Sequence, residues 1–229
     1  MLDPSPASAS STEAPRPRIA ACLHGFLRTG GSMALFAVRL RRAGYREVAL
    51  PTFGYHLSHM EAHAARAARV LAALAARHPE AELDVVTHSM GGLLARLALS
   101  HPEAPPARRV VMLSPPNQGA KAAELVRGMV PLHQLGWDPL HPLLPGVPSA
   151  HPVPPAEVGV LTGGRGDERG YNGWLGADND ALVRVDEAAL PGATDFHVVE
   201  VPHALMPFHP LAAAQTLHFL EYGRFRRAS

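Results

Sequence analysis

Residues 83–99 read LDVVTHSMGGLLARLAL, an apolar run that continues through a short turn into a segment of helical period. A strand, a turn and a helix in this order form the setting in which a small-x-Ser-x-Gly turn presents a nucleophilic serine. Gly91 and Gly92 leave room for the helix to approach the strand, and Thr87 stands where such turns usually carry glycine. The start of the helix would direct free N–H groups at Ser89. These features favour a nucleophile at Ser89 over a serine that only caps the helix.

Outward from this stretch, short apolar runs alternate with longer segments of helical period. Apolar runs of strand length without polar alternation are typical of strands buried on both faces of a parallel sheet. The six predicted strands are 19–23, 47–51, 83–87, 110–114, 158–162 and 196–201, and the five predicted helices are 31–43, 58–78, 90–101, 119–129 and 209–222. The alternation predicts an α/β fold with a mostly parallel sheet of about six strands and helices on both faces.

Two segments do not follow this alternation. Residues 1–17 are mostly Pro, Ser and Ala with little to bury, which predicts a disordered leader before a domain spanning 18–229. Residues 131–155 are rich in both Pro and Leu, and we predict a cap or lid over the carboxyl edge of the sheet. The alternative is a surface excursion without function.

Composition excludes several classes of protein. The 21 Lys and Arg residues and 20 Asp and Glu residues leave a net charge of +1, which disfavours a nucleic-acid binder. Cys22 is the only cysteine, so neither an internal disulfide nor a cysteine-rich metal site can form. No apolar run is long enough to span a membrane, and no secretory signal is present. We therefore expect a cytoplasmic protein without metal or cofactor, whose oligomeric state the sequence does not indicate.

The run His24-Gly25-Phe26 directly follows the first predicted strand. A turn at this place can donate a backbone N–H to the oxyanion formed during acyl transfer. The predicted oxyanion donors are the N–H of Phe26 and the N–H of Met90, the residue after Ser89. His24 and His88 adjoin these donors, and we interpret both as structural, with His88 directed away from the nucleophile.

Ser89 needs a base from a loop after the last strand, where three histidines lie. His197 falls within the predicted strand and His209 precedes Pro210 at a helix start, which is typical of a cap. His203 lies just beyond the strand, at the edge of the sheet where Ser89 also emerges. We therefore predict His203 as the base.

The carboxylate that orients this histidine should lie between Ser89 and His203 in the sequence. The candidates are Asp167, Asp178, Asp180, Asp186 and Asp195. Asp167, in the Gly-rich loop after the fifth predicted strand, stays a candidate, while the apolar run that follows Asp180 would anchor a loop beneath the histidine. Spacing alone divides the choice between Asp178 and Asp180.

Four separated motifs in this order resemble the α/β-hydrolase superfamily, and within it compact bacterial lipases and esterases. The motifs are HGFLRTGGSM at 24–33, THSMGG at 87–92, NDALVRVDE at 179–187 and VPHALM at 201–206, and the closing helix QTLHFLEYGRF is also similar. The resemblance implies Ser89 as nucleophile, Asp180 as acid and His203 as base, with Phe26 and Met90 forming the oxyanion hole. Thr87 and Ala181 depart from glycines of the pattern.

The resemblance implies a serine hydrolase that cleaves carboxylic esters of small molecules without a cofactor. A thioesterase or acyltransferase would use the same residues, and a non-catalytic binding protein of the same fold would lack a member of the triad. Apolar residues of the predicted cap favour a hydrophobic acyl group, namely Leu135, Trp137, Leu140, Leu143 and Leu144. His56, His59 and His63 lack a carboxylate or cysteine at matching spacing, so we predict no metal site there.

Overall fold

The structure is a computed structural model that describes residues 16–53, 60–130, 132–136 and 138–227. Most of the predicted leader, Trp137 of the predicted cap, and His56 and His59 lie outside the described residues. So does Ser58, which with Glu61 forms a capping-box pattern at the start of the second helix.

The centre of the fold is a six-stranded sheet in which every neighbouring pair is parallel, with the order β2-β1-β3-β4-β5-β6. The strands are β1 Arg18–Leu23, β2 Glu47–Ala49, β3 Glu82–His88, β4 Arg109–Leu113, β5 Glu157–Gly163 and β6 Asp195–Val199. This confirms the predicted sheet, although β2 and β6 end two residues earlier than expected. The chain runs from β1 outward to β2 and returns to β3, so the strand order reverses between β1 and β3. Ligands of open α/β sheets bind at the carboxyl end of such a reversal.

Six α-helices connect and cover the strands of the described chain. They are α1 Ala34–Arg42, α2 Met60–Arg77, α3 Met90–Leu99, α4 Lys121–Met129, α5 Val185–Ala188 and α6 Pro210–Tyr222. The first predicted helix begins as a 3-10 turn over Gly30–Met33, and α5 was not predicted because one turn is too short to show a helical period. None of the described helices is both long and apolar enough to cross a membrane.

Two apolar layers hold the helices against the sheet. On one face α2 and α3 bury Leu71, Leu74 and Leu93, and on the other face α1 and α6 bury Phe36 and Phe219. Full burial of side chains of this size stabilises the fold by about 1.5–3 kcal/mol each.

The segment between α4 and β5 contains short 3-10 turns at Leu132–Leu135, His141–Leu143 and Pro148–Ala150. Arg96, a buried residue of α3, binds the C-terminal end of this segment through main-chain hydrogen bonds. The Arg96 guanidinium donates to the carbonyl oxygens of Asn117 at 3.1 Å and Pro152 at 3.0 Å, and also to that of His151. Burial lowers the pKa of Arg96 to about 10, which leaves the side chain charged at neutral pH.

Candidate active site

Ser89 occupies a backbone conformation that side chains rarely adopt. It lies between β3 and α3 with φ of 55° and ψ of −128°, in a region that costs a non-glycine residue on the order of 1–3 kcal/mol. Its N–H donates to the carbonyl of Leu113 at 2.8 Å, which fixes the turn to β4. A Cβ on Gly91 would lie 2.4 Å from the carbonyl oxygen of Leu23. Only glycine therefore allows α3 to approach β1, as the Gly-Gly pair predicts.

The turn after β1 lies directly against Ser89. A Cβ on Gly25 would come within 3.0 Å of the Ser89 Cβ. The buried ring of His24 fixes this turn: its Nε2 accepts the N–H of Phe53 at 3.0 Å, so its Nδ1 carries the proton and donates to the Gly25 carbonyl at 2.9 Å. Burial lowers the pKa of His24, which keeps the ring neutral. Because the C=O and N–H of a trans peptide point in opposite directions, the N–H of Phe26 points away from His24.

Asp180 and His203 form a buried pair. Asp180 Oδ2 accepts a hydrogen bond from His203 Nδ1 at 2.7 Å, and the main-chain N–H of His203 donates to the Asp180 carbonyl at 2.8 Å. The other carboxylate oxygen accepts the N–H groups of Leu182 at 3.0 Å and Val183 at 2.8 Å. These bonds hold the imidazole with its proton on Nδ1 and leave Nε2 able to accept a proton.

The other four candidate carboxylates have different partners. Asp178 and Asp167 accept backbone N–H groups of the loop after β5, Asp186 pairs with Arg184, and Asp195 accepts the N–H of Phe225. The structure thus brings Asp180, and none of these four, to His203.

The two remaining candidate histidines lie elsewhere. His209 caps α6 by accepting the N–H of Leu211 on Nδ1 at 3.2 Å, which confirms the predicted cap. His197 belongs to β6, and its Nδ1 lies 2.7 Å from the guanidinium of Arg227. Neither ring lines the cavity at Ser89.

His88 contacts the candidate base, a contact that the sequence did not predict. Its Nε2 donates to the main-chain carbonyl of His203 at 3.1 Å, and the two ring centroids are 4.8 Å apart. Its Nδ1 is buried against Gly25 and has no hydrogen-bond partner among the described residues. Burial, reinforced by the charges of His203 and Arg28, holds the pKa of His88 well below its usual value. The ring is therefore neutral, and it joins the Ser89 turn to the His203 loop.

A cavity of about 290 Å³ opens between these elements, and both Ser89 and His203 line it. Gly25, Phe26, Arg28, His88 and Ala204 surround the two residues. The rest of the wall is apolar and consists of Pro116, Ala120, Ala122, Ala123, Val126, Leu140, Leu143, Leu182 and Val183. Leu140 and Leu143 of the predicted cap thus reach the cavity.

A second cavity, of about 310 Å³, carries several titratable side chains, namely Glu61, Asp138, His141 and His151. Asp138 is paired with Arg127 at 2.8 Å. Within the described parts of the chain, no three His, Cys, Asp or Glu side chains are grouped so that they could hold a metal ion.

Comparison with solved structures shows the fold. The lipase BlEst2 of Bacillus licheniformis in its mature form has a TM-score of 0.70 and 20% identity, covering 96% of this chain and 96% of the lipase. A Pyrococcus furiosus esterase has a TM-score of 0.60 and 17% identity, covering 90% of this chain and 82% of that chain. The metagenomic carboxyl esterase MGS0156 has a TM-score of 0.60 and 18% identity, covering 89% and 68%.

No protein-family model matches the sequence, and neither does any curated protein sequence. The three structural neighbours, together with the six-stranded parallel sheet, show that the chain has the α/β-hydrolase fold that its sequence predicts.

Proposed function

We propose that this chain is a serine hydrolase that cleaves carboxylic esters, with Ser89 as nucleophile, His203 as general base and Asp180 as orienting acid. The observation that carries the proposal is the buried Asp180–His203 pair, 2.7 Å between Oδ2 and Nδ1, on a cavity that His203 shares with Ser89. A serine and an oriented imidazole on one cavity are the two groups that nucleophilic acyl transfer uses.

The proposed reaction has two halves. Ser89 Oγ attacks the acyl carbonyl carbon while His203 Nε2 takes the hydroxyl proton, and His203 then returns this proton to the leaving alcohol as the C–O bond breaks. Water attacks the resulting acyl-enzyme with the same histidine as base, which releases the carboxylic acid and regenerates Ser89. Asp180 keeps the His203 ring in the tautomer with its proton on Nδ1 and stabilises the imidazolium that forms in each half of the reaction.

Two backbone N–H groups are proposed to stabilise the tetrahedral oxyanion. Met90 is the first residue of α3, so its N–H has no acceptor within the helix and lies at the positive end of the helix dipole. Phe26 supplies the second N–H, which the His24–Gly25 hydrogen bond directs away from His24. Removing one such donor typically costs about 100-fold to 1000-fold in turnover.

The apolar wall supports a hydrophobic acyl group as substrate. The side chains of α4 that line the cavity are those of Ala122, Ala123 and Val126. Like Leu140, Leu143 and Leu182, they offer no hydrogen-bonding group to an acyl chain. Each methylene that enters this wall contributes about 0.8 kcal/mol of binding. A thioester with the same acyl group would present the same carbonyl to Ser89.

A fluorophosphonate probe tests the nucleophile. We expect one covalent adduct on Ser89, located by peptide mass spectrometry, and none on the Ser89→Ala variant. Ser114→Ala is the matched control, because Ser114 also has a positive φ, of 48°, but is buried and does not line the cavity. The control should label like the wild type and hydrolyse p-nitrophenyl butanoate at a similar rate. Labelling at another residue, or hydrolysis that survives in Ser89→Ala, would contradict the proposal.

A further inference from the structure

Arg28 introduces a charge into a cavity that is otherwise apolar or neutral. It follows the turn that carries Phe26, and its N–H closes that turn on the Gly25 carbonyl at 3.3 Å. Among the described residues that line the cavity, Arg28 alone has a permanent charge, and none of them is a carboxylate. The side chain is exposed, and no described residue forms a hydrogen bond or an ion pair with its guanidinium. The charge is therefore available to a molecule that enters the cavity.

The contacts of His88 indicate which part of a bound ester would meet Arg28. In the proposed mechanism His203 protonates the leaving oxygen, so the alcohol portion of the ester must lie beside His203. The ring of His88 packs on His203 with 4.8 Å between centroids. Its Nδ1 lies against Gly25, where a Cβ would come within 3.3 Å of it, and the Gly25 carbonyl accepts the N–H of Arg28 at 3.3 Å. Arg28 thus lies on the side of the alcohol, while the apolar wall of α4 is left for the acyl chain.

We infer that Arg28 binds an anionic group, a phosphate or a carboxylate, on the alcohol portion of the substrate. A guanidinium offers paired N–H donors that match the oxygens of both anions. The substrate class would then be esters that join a hydrophobic acyl group to an anionic alcohol. This inference rests on the proposed ester hydrolysis and adds to it the charge of the alcohol.

Three esters with the same acyl group test the effect of a charge on the alcohol portion of the substrate. 4-(Butanoyloxy)benzoate carries a carboxylate, 4-(butanoyloxy)phenyl phosphate carries a phosphate, and 4-(butanoyloxy)benzamide is neutral. The quantity measured is the kcat/KM of each anionic ester divided by that of the benzamide, after subtraction of spontaneous hydrolysis. Comparison of the two anionic esters identifies the preferred anion.

We expect Arg28→Gln to lower this ratio about tenfold, Arg28→Lys to keep most of it, and Arg28→Glu to lower it further. Raising the ionic strength should lower the wild-type ratio, since salt screens a partly exposed charge pair. Arg42→Gln is the matched control, because Arg42 is exposed on α1 and does not line the cavity, yet its loss changes the net charge equally. This control should leave the ratio unchanged.

The possible outcomes separate the two proposals. Hydrolysis of all three esters with a ratio that Arg28→Gln does not change overturns the anion subsite and leaves the hydrolase. An equal decrease in Arg42→Gln assigns the preference to overall charge and likewise overturns the role of Arg28. If the wild type hydrolyses none of the esters and Ser89 does not react with the fluorophosphonate, the proposed function itself is wrong.

Discussion

His88 and His203 are 115 residues apart in the sequence, yet the Nε2 of His88 donates to the main-chain carbonyl of His203 at 3.1 Å. This bond joins the turn that carries Ser89 to the loop that carries the candidate base. An imidazolium could also donate this bond, but protonation would place an N–H on the other ring nitrogen, which is buried against Gly25 with no acceptor among the described residues. The junction should therefore respond to acid.

The first prediction concerns stability below neutral pH. The folded protein holds the pKa of His88 well below its usual value, so the unfolded chain binds a proton that the folded chain does not. This contribution to stability is complete above about pH 6.5, the ordinary pKa of histidine, and is lost as the pH falls further. Denaturant unfolding of the wild type at pH 7.5, 6.5 and 5.5 should show the loss, at up to about 1.4 kcal/mol per pH unit from this one group.

His88→Gln keeps an N–H donor at a similar place but cannot take up the proton. As the pH is lowered, the free energy of unfolding of this variant should therefore fall less steeply than that of the wild type. His141→Gln, which removes an exposed histidine, is the control and should retain the wild-type slope. If His88→Gln and the wild type lose stability in parallel, His88 is not the group that titrates.

The second prediction separates two aspartates that are two residues apart. Asp180→Asn should lower kcat for p-nitrophenyl butanoate by about 10⁴-fold, because the amide cannot hold the Nδ1 tautomer or stabilise the imidazolium. Asp178→Asn should stay within a few-fold of the wild type, because Asp178 accepts the N–H groups of Arg165 at 2.7 Å and Gly166 at 2.9 Å and not the imidazole. The reverse order of effects would reassign the acid.

The same pair illustrates what the sequence can and cannot predict. Ser89 and His203 follow from local signals, a double glycine after a strand and a histidine just beyond the last strand. Asp178 and Asp180 share the same loop and the same residue type, so spacing could not separate them. Their difference lies in direction, since one carboxylate turns to the loop after β5 and the other to His203. The resemblance to the hydrolase motif favours Asp180, whose carboxylate lies 2.7 Å from Nδ1 of His203.

Contacts between distant segments had no local signal at all. The sequence places His88 beside the predicted nucleophile but does not indicate its contact with His203, because the partner carbonyl belongs to a loop that only folding brings near. Arg96 has the pattern of an ordinary helical arginine, since its acceptors are main-chain carbonyls and not residues of a recognisable type. The strands, by contrast, were predictable because burial on both faces requires continuous apolar runs.

The third prediction concerns the length of the acyl chain. Ala122 lines the apolar part of the cavity from α4, so Ala122→Phe should fill space that a long chain would occupy. We expect the ratio of kcat/KM for p-nitrophenyl butanoate to that for the dodecanoate to rise at least about tenfold, the loss of about two buried methylenes. Glu124→Phe adds the same ring at an exposed position of the same helix and should leave the ratio unchanged. If Ala122→Phe does not alter this ratio, the acyl chain of the substrate does not bind in the part of the cavity beside α4.

The last prediction concerns the anchor of the segment between α4 and β5. Arg96→Met keeps the length of the side chain but leaves the carbonyls of Asn117, His151 and Pro152 without their donor, at about 1–3 kcal/mol for each carbonyl that stays buried. Losing the buried charge also removes its desolvation cost, so we expect a net loss of about 2–4 kcal/mol in urea denaturation. Limited proteolysis should then cut first within residues 138–155. Arg96→Lys keeps the charge but cannot reach three carbonyls from one nitrogen. Its free energy of unfolding should therefore lie between those of the wild type and Arg96→Met. A methionine variant as stable as the wild type would mean that the cost of burying the guanidinium cancels its hydrogen bonds, and unchanged proteolysis would mean that other contacts hold the segment.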